Sequence, residues 1–90
     1  GETGKAIEDY NKAIELNPEY VVAYNNRGNR YGDLGEEEKA IEDYNKAIEL
    51  NPEYALAYYN RGIGYEKLGE TKKAKKDFQK AAELDPKYKK

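Results

Sequence analysis

The three prolines of the chain stand at positions 18, 52 and 86, two equal steps of 34 residues. The segment KAIEDYNKAIELNPEY, Lys5–Tyr20, returns letter for letter as Lys39–Tyr54. A fixed period of this length marks a stacked array, because one unit cannot bury its apolar face alone and must lay it on a neighbour. This confines the chain to a one-dimensional pile of like units. Arrays of this kind hold other molecules rather than change them.

The units are helical. Ala6, Ile7, Tyr10, Ala13, Ile14 and Leu16 follow the 3–4 spacing of one helix face, and Ala40, Ile41, Tyr44, Ala47, Ile48 and Leu50 repeat it. Ala74, Phe78, Ala81 and Leu84 keep part of the pattern. A second helix type lies between, carrying Ala23, Tyr24, Gly28, Tyr31 and Leu34, then Ala57, Tyr58, Gly62, Tyr65 and Leu68. Gly35 and Gly69 follow the leucines, as glycine does just past a helix end. Asn17-Pro18, Asn51-Pro52 and Asp85-Pro86 end one helix and, as a polar cap before proline, open the next. Thr3 and Thr71 are candidate caps for the helices after them. Five helices are expected, over 4–16, 19–33, 37–50, 53–67 and 71–84. With the KAIEDY type named B and the AYxNRGxxY type named A, the order is B-A-B-A-B. Short connections make neighbours antiparallel.

Composition narrows the chemistry. The 16 basic and 18 acidic side chains leave a net charge of −2, without the basic footprint that nucleic acid requires. Histidine and cysteine are both absent, which removes the usual general base, the usual metal ligands, the thiol nucleophile and any disulfide. No enzymatic activity, metal or other cofactor is expected. No apolar run is long enough for a membrane span. The expected protein is soluble and intracellular rather than secreted. Methionine is absent as well, which suggests a processed chain or a fragment.

Tyr24, Gly28, Tyr31, Ala40, Tyr44, Ala47 and Pro52, matched in register by Tyr58, Gly62, Tyr65, Ala74, Phe78, Ala81 and Pro86, form a pattern that resembles the tetratricopeptide repeat family over nearly the whole chain. The resemblance implies an all-α fold, a right-handed superhelical stack of antiparallel helix hairpins. It divides residues 1–90 into a half repeat at 1–20, full repeats at 21–54 and 55–88, and a tail at 89–90. The family often has leucine before the glycine, where this chain has Arg27 and Arg61. Their stems are expected to pack while their heads reach water or a nearby carboxylate.

Other motifs have plainer explanations. Gly1-Glu2-Thr3-Gly4-Lys5 is too short for a phosphate loop and has Ala6 where a magnesium-binding hydroxyl would stand. Gly62-Ile63-Gly64 is a weaker version of it, and Gly62 is better explained by close helix packing. Glu36-Glu37-Glu38 suits a solvated first helical turn. Glu8-Asp9 and Glu42-Asp43 are expected on exposed faces, with no cleft to make an acid–base pair of them.

In the resembling family the A helices line a concave groove that holds an extended peptide. Carried over, the groove residues are Val22, Asn25, Asn26, Asn29 and Asp33, then Leu56, Tyr59, Asn60, Ile63, Glu66 and Lys67. Asparagines offer a peptide backbone both a donor and an acceptor. Tyr59, Leu56 and Ile63 would be apolar anchors. The register of Tyr59 holds Asn25 in the earlier unit, so packing does not demand an aromatic there. Some family members grip the C-terminal carboxylate of chaperone tails with lysine, arginine and asparagine. Asn29 and Asn60 match two such asparagines, but Asn25 replaces the lysine and a third A helix is lacking, so that clamp is not expected. Asn26 and Asn60 equally suit ties between helices or contact with water.

The two ends differ. Ile41 and Ile48 should face the next unit; their counterparts Lys75 and Ala82, with Lys87, Lys89 and Lys90, read as a capping surface. The first B helix lacks an A partner for the face of Ala6, Tyr10 and Ala13. Residues 1–38 carry 4 basic and 9 acidic groups, whereas residues 72–90 carry 8 and 3. The first expectation is a module presenting a groove to a protein or peptide partner. The alternative is a self-assembling repeat unit, a natural fragment or engineered, that forms homo-oligomers through Ala6, Tyr10 and Ala13.

Overall fold

The computed structural model describes residues 1–89; Lys90, part of the expected basic tail, lies outside the described residues. Five α-helices follow one another: α1 (Glu2–Leu16), α2 (Val21–Asp33), α3 (Glu37–Leu50), α4 (Ala55–Lys67) and α5 (Thr71–Leu84), and a 3-10 turn (Pro86–Tyr88) comes after them. Each helix packs on the next in sequence, and α2 also touches α4. The result is an all-α stack in which α1, α3 and α5 are the B type and α2 and α4 the A type.

Several helix boundaries differ from the sequence expectation. The first helix begins at Glu2, two residues earlier than expected, and Gly1 stands at its N-cap. Thr3 lies inside that helix, Glu70 precedes α5, and neither threonine caps anything. The Asn-Pro pairs end B helices without opening A helices. Asn17 accepts from the Glu19 backbone N–H through Oδ1 at 3.2 Å, and Tyr20 N donates to the Asn17 carbonyl at 3.1 Å. Proline, with its fixed φ, is thus the second residue of a four-residue turn. Asn51–Tyr54 repeats this turn, with bonds of 3.1 Å to each acceptor. The Tyr24 hydroxyl donates to the Pro18 carbonyl at 2.9 Å and Tyr58 to that of Pro52 at 3.0 Å, tying each A helix to the turn before it.

The A-to-B corners end as expected. Gly35 and Gly69 both adopt φ +78°, open to glycine at little cost. Glu36 N then reaches the Tyr31 carbonyl at 2.9 Å and Glu70 N that of Tyr65 at 2.8 Å, which closes the last helical turn.

Close approach within each hairpin rests on two glycines. A Cβ on Gly28 would stand 2.7 Å from Tyr44 Cε1 and 3.1 Å from the Ala40 carbonyl oxygen. One on Gly62 would stand 2.7 Å from Phe78 Cε1. Ala40, Ala47, Ala57, Ala74 and Ala81 are buried, so the helices meet through small side chains and aromatic rings. Ile41 packs against Gly64 of the following A helix, and Ile48 joins the cluster around Tyr24, Ala47 and Ala57.

Identical sequence does not give identical burial. No residue of α1 is fully buried, whereas α3 buries Ala40, Ile41, Asp43, Tyr44 and Ala47. Leu16 is 85% exposed, while Leu50 packs on the core cluster. The helix α3 is sandwiched between two A helices, whereas α1 has one, α2, on one side only.

Candidate functional site

The Arg27 and Arg61 side chains are clips between helices. Arg27 donates through Nε to Asp43 Oδ2 at 2.8 Å and through Nη2 to Asp43 Oδ1 at 2.7 Å, and its Nη1 reaches Asn11 Oδ1 at 2.9 Å. One guanidinium thereby joins α1, α2 and α3. Arg61 makes the same three bonds, at the same lengths, to Asp77 and Asn45. The expectation that Glu42-Asp43 lies on an exposed face is therefore corrected for Asp43, which is 5% exposed. A fork-to-fork pair satisfies both carboxylate oxygens, and that makes burial tolerable. The bond to the carboxylate holds each guanidinium above the ordinary arginine pKa, against the opposing effect of burial.

A concave cleft lies between α2, α3 and α4. It measures about 260 Å3 and gathers Asn29, Asp33, Asn60, Ile63 and Lys67 of the expected groove with Arg30, Gly32, Glu37, Tyr44 and Gly64. The Tyr44 hydroxyl donates to Asn29 Oδ1 at 2.5 Å, which leaves the Asn29 amide hydrogens free to donate. Burial pushes the Tyr44 phenol well above the ordinary tyrosine range, with Glu37, Asp33 and Asp43 adding to it. Asn60 donates through Nδ2 to Asn25 Oδ1 at 3.1 Å and keeps its carbonyl oxygen to accept. Arg30 Nε lies 3.3 Å from Asp33 Oδ2, but not in hydrogen-bonding geometry. Lys67 has no ion pair among the described residues.

The remaining expected groove residues lie elsewhere. Asn25 is fully buried under α4, with its Nδ2 making no hydrogen bond among the described residues, and it presents nothing to a ligand. Asn26 is partly buried, and Val22 and Glu66 are exposed, all outside the cleft. Leu56 lines a separate depression with Tyr54, Leu84 and Tyr88. Tyr59 packs at ring-centroid distances of 5.6 Å from Phe78 and 5.0 Å from Tyr88. The expectation that packing needs no aromatic at 59 is thus corrected: the 3-10 turn folds Tyr88 back over it. Even so, a hollow of about 660 Å3 remains at this end, lined by Phe78, Ala82, Pro86 and Tyr88 among others.

Sequence reasoning missed the B-helix wall, Glu37 and Tyr44, because it assigned Tyr44 wholly to the core. It also missed Gly64. There a signal existed: Gly64 stands in the register of Arg30 with no turn to explain it, and such a glycine marks close approach, in this case of Ile41.

Comparison with known proteins agrees with this architecture. Residues 1–35 and 28–69 match a family model described as TPR repeat, and residues 55–88 match one described as tetratricopeptide repeat. No curated protein matches significantly. Among solved structures, MamA superposes with a TM-score of 0.90 at 40% identity, over 97% of this chain and 51% of that one. The first TPR of Spaghetti (RPAP3), bound to the HSP90 peptide SRMEEVD, gives 0.92 at 35% identity, covering 96% and 68%. The Arabidopsis OM64 TPR domain gives 0.93 at 32%, covering 96% and 71%. This chain spans about half the length of the MamA chains, at 51% and 48%. On repeat pattern, helix stack and family match together, the chain belongs to the tetratricopeptide repeat family.

Proposed function

We propose that the chain is a non-catalytic protein-interaction module and that the cleft between α2, α3 and α4 takes an extended peptide segment of a partner. The observation that carries this reading is the pair of half-used asparagines. Asn29 keeps a donor and Asn60 an acceptor, the two groups needed to grip one peptide unit by its carbonyl and its N–H. Ile63 adds apolar surface, and Lys67 a cation with no ion pair among the described residues. A peptide-bound relative supports the class of ligand. It does not extend to a chaperone-tail clamp, because Asn25, in the register of the clamp lysine, is buried.

The test is a screen of extended peptides, followed by Asn29→Ala and Asn60→Ala. Each variant is expected to weaken a selected peptide about tenfold, the loss of one buried hydrogen bond with its partner stranded. Selected peptides that bind both variants unchanged would place the site elsewhere.

A second reading is self-association through Ala6, Tyr10 and Ala13. It draws support from the partly exposed state of all three residues and from the acidic head and basic tail. Light scattering over a concentration series separates the two: a monomer throughout leaves the cleft as the functional surface.

A further inference from the structure

The outer face of α5 carries a charge pattern that the other two B helices lack. Positions one repeat apart on that face read Gly4, Glu8 and Lys12 in α1, Glu38, Glu42 and Lys46 in α3, and Lys72, Lys76 and Lys80 in α5. In α1 and α3 a glutamate stands four residues before a lysine, the order that supports a helix, whereas like charges at that spacing destabilise one. Helix α5 gives up this support and sets three lysines in line. All three are exposed, and none forms an ion pair among the described residues; the neighbouring Lys73 is the one that pairs, with Glu70. The openness of this face does not depend on a missing neighbour. Helix α3 packs against both α2 and α4, yet Glu38 and Glu42 in the same register remain exposed. The row is also distinct from Lys75 and Ala82, which stand in the register of the packed Ile41 and Ile48.

We propose that this row docks an acidic, extended polypeptide segment of a partner, with carboxylates at alternate residues. Four-residue steps along a helix rise about 6 Å, so the row from Lys72 to Lys80 runs about 12 Å. Alternate residues of an extended chain project from one face about 6.6 Å apart, so three carboxylates can each meet one ammonium group. Each such pair is exposed and weak alone, and three in register act together. The row is one helix wide, and this decides the kind of anion. One repeat away, the corresponding face of α3 carries Glu38 and Glu42, and its Lys39 and Lys46 are already paired with Glu36 and Glu49. A broad anionic surface such as a membrane would therefore meet carboxylates beside the lysines. A single nucleic-acid strand is narrow enough, but its bases stack on aromatic rings, and the outer positions 72, 73, 76, 79, 80 and 83 hold only lysine, glutamine and glutamate. The row shares no residue with the cleft between α2, α3 and α4 and acts independently of it.

The test uses the 90-residue chain and a fluorescein-labelled peptide of alternating glutamate and threonine. Anisotropy is followed at about 0.01 M salt, where the Debye length is about 30 Å, and again at about 0.15 M, where it is about 8 Å. Saturable binding is expected at the lower salt and weaker binding at the higher. A peptide with glutamine in place of glutamate should not bind. Lys72→Glu with Lys76→Glu gives α5 the charges of α3 and should weaken binding about tenfold or more. This double variant should lose nothing in melting temperature, because it replaces a like-charge pair by a glutamate four residues before Lys80. Glu38→Lys with Glu42→Lys gives α3 the same row, ending at Lys46, and should add a second site for the peptide. Absence of saturation at the lower salt overturns the proposal, as does binding that ignores Lys72→Glu with Lys76→Glu. Vesicles of phosphatidylserine and phosphatidylcholine and a single-stranded oligonucleotide are titrated alongside. Tighter binding of either one, lost in the same double variant, would give the row to that anion and overturn the acidic segment. Asn29→Ala and Asn60→Ala should leave peptide binding to the row intact, which separates it from the cleft.

Discussion

Replacing Gly28 by alanine sets two known effects against each other. Alanine is favoured over glycine inside a helix by about 1 kcal/mol. Against this, the added Cβ would lie 2.7 Å from Tyr44 Cε1 and 3.1 Å from the Ala40 carbonyl oxygen. The ring cannot swing away, since Tyr44 is 4% exposed and its hydroxyl is tied to Asn29, and the second obstacle is backbone. Overpacking costs about 1–3 kcal/mol, and a site fixed on both sides falls in the upper part of that range, about 2–3 kcal/mol; less the helix gain of about 1 kcal/mol, Gly28→Ala should lose about 1–2 kcal/mol net, enough to lower Tm by roughly 4–16 °C in a domain of this size. At Gly62 the three nearest atoms all belong to the Phe78 ring, which is partly exposed, so Gly62→Ala should fall near zero to about 1 kcal/mol of loss. Gly4→Ala meets nothing within 4 Å and should gain up to about 1 kcal/mol. Urea denaturation followed by circular dichroism orders the three. If Gly28→Ala proves as stable as Gly4→Ala, the two helices are not in the contact described and the packing argument fails.

Other outcomes follow from the same geometry. Asp43→Ala strands the Arg27 fork and should cost about 2 kcal/mol, between the values for exposed and buried pairs, whereas Asp9→Ala should change stability by less than about 0.5 kcal/mol; equal effects in urea melts would contradict the clip. Tyr44 has a folded-state pKa above its unfolded one, so its contribution is complete below about pH 10 and disappears as pH rises through the folded value. Stability measured from pH 8 to 12 should fall above about pH 10, with a shallower slope in Tyr44→Phe. Tyr59→Ala should lose about 1–3 kcal/mol by emptying the ring cluster with Phe78 and Tyr88, while Val22→Ala, on an exposed site, should lose little; thermal melts compare them.

The sequence by itself determined the repeat, the five helices and their order, and the glycines that let paired helices touch. These are legible because they are local or periodic: helix faces show at 3–4 spacing, corners at Gly35 and Gly69, and a 34-residue step multiplies each signal. It also exposed the arginine departures, and a nearby carboxylate was among their expected partners. Only the tertiary structure decided what each position in the repeat does. Asn25 and Tyr59 share a register, yet Asn25 is sealed beneath α4 while Tyr59 is covered by the returning Tyr88. Asp9 and Asp43 stand in identical sixteen-residue segments, yet one faces water and the other is buried in an ion pair. The physical reason is that burial in a stack comes from the next layer, not from the residue's own helix. Two identical sequences therefore diverge as soon as one packs between two A helices and the other against one.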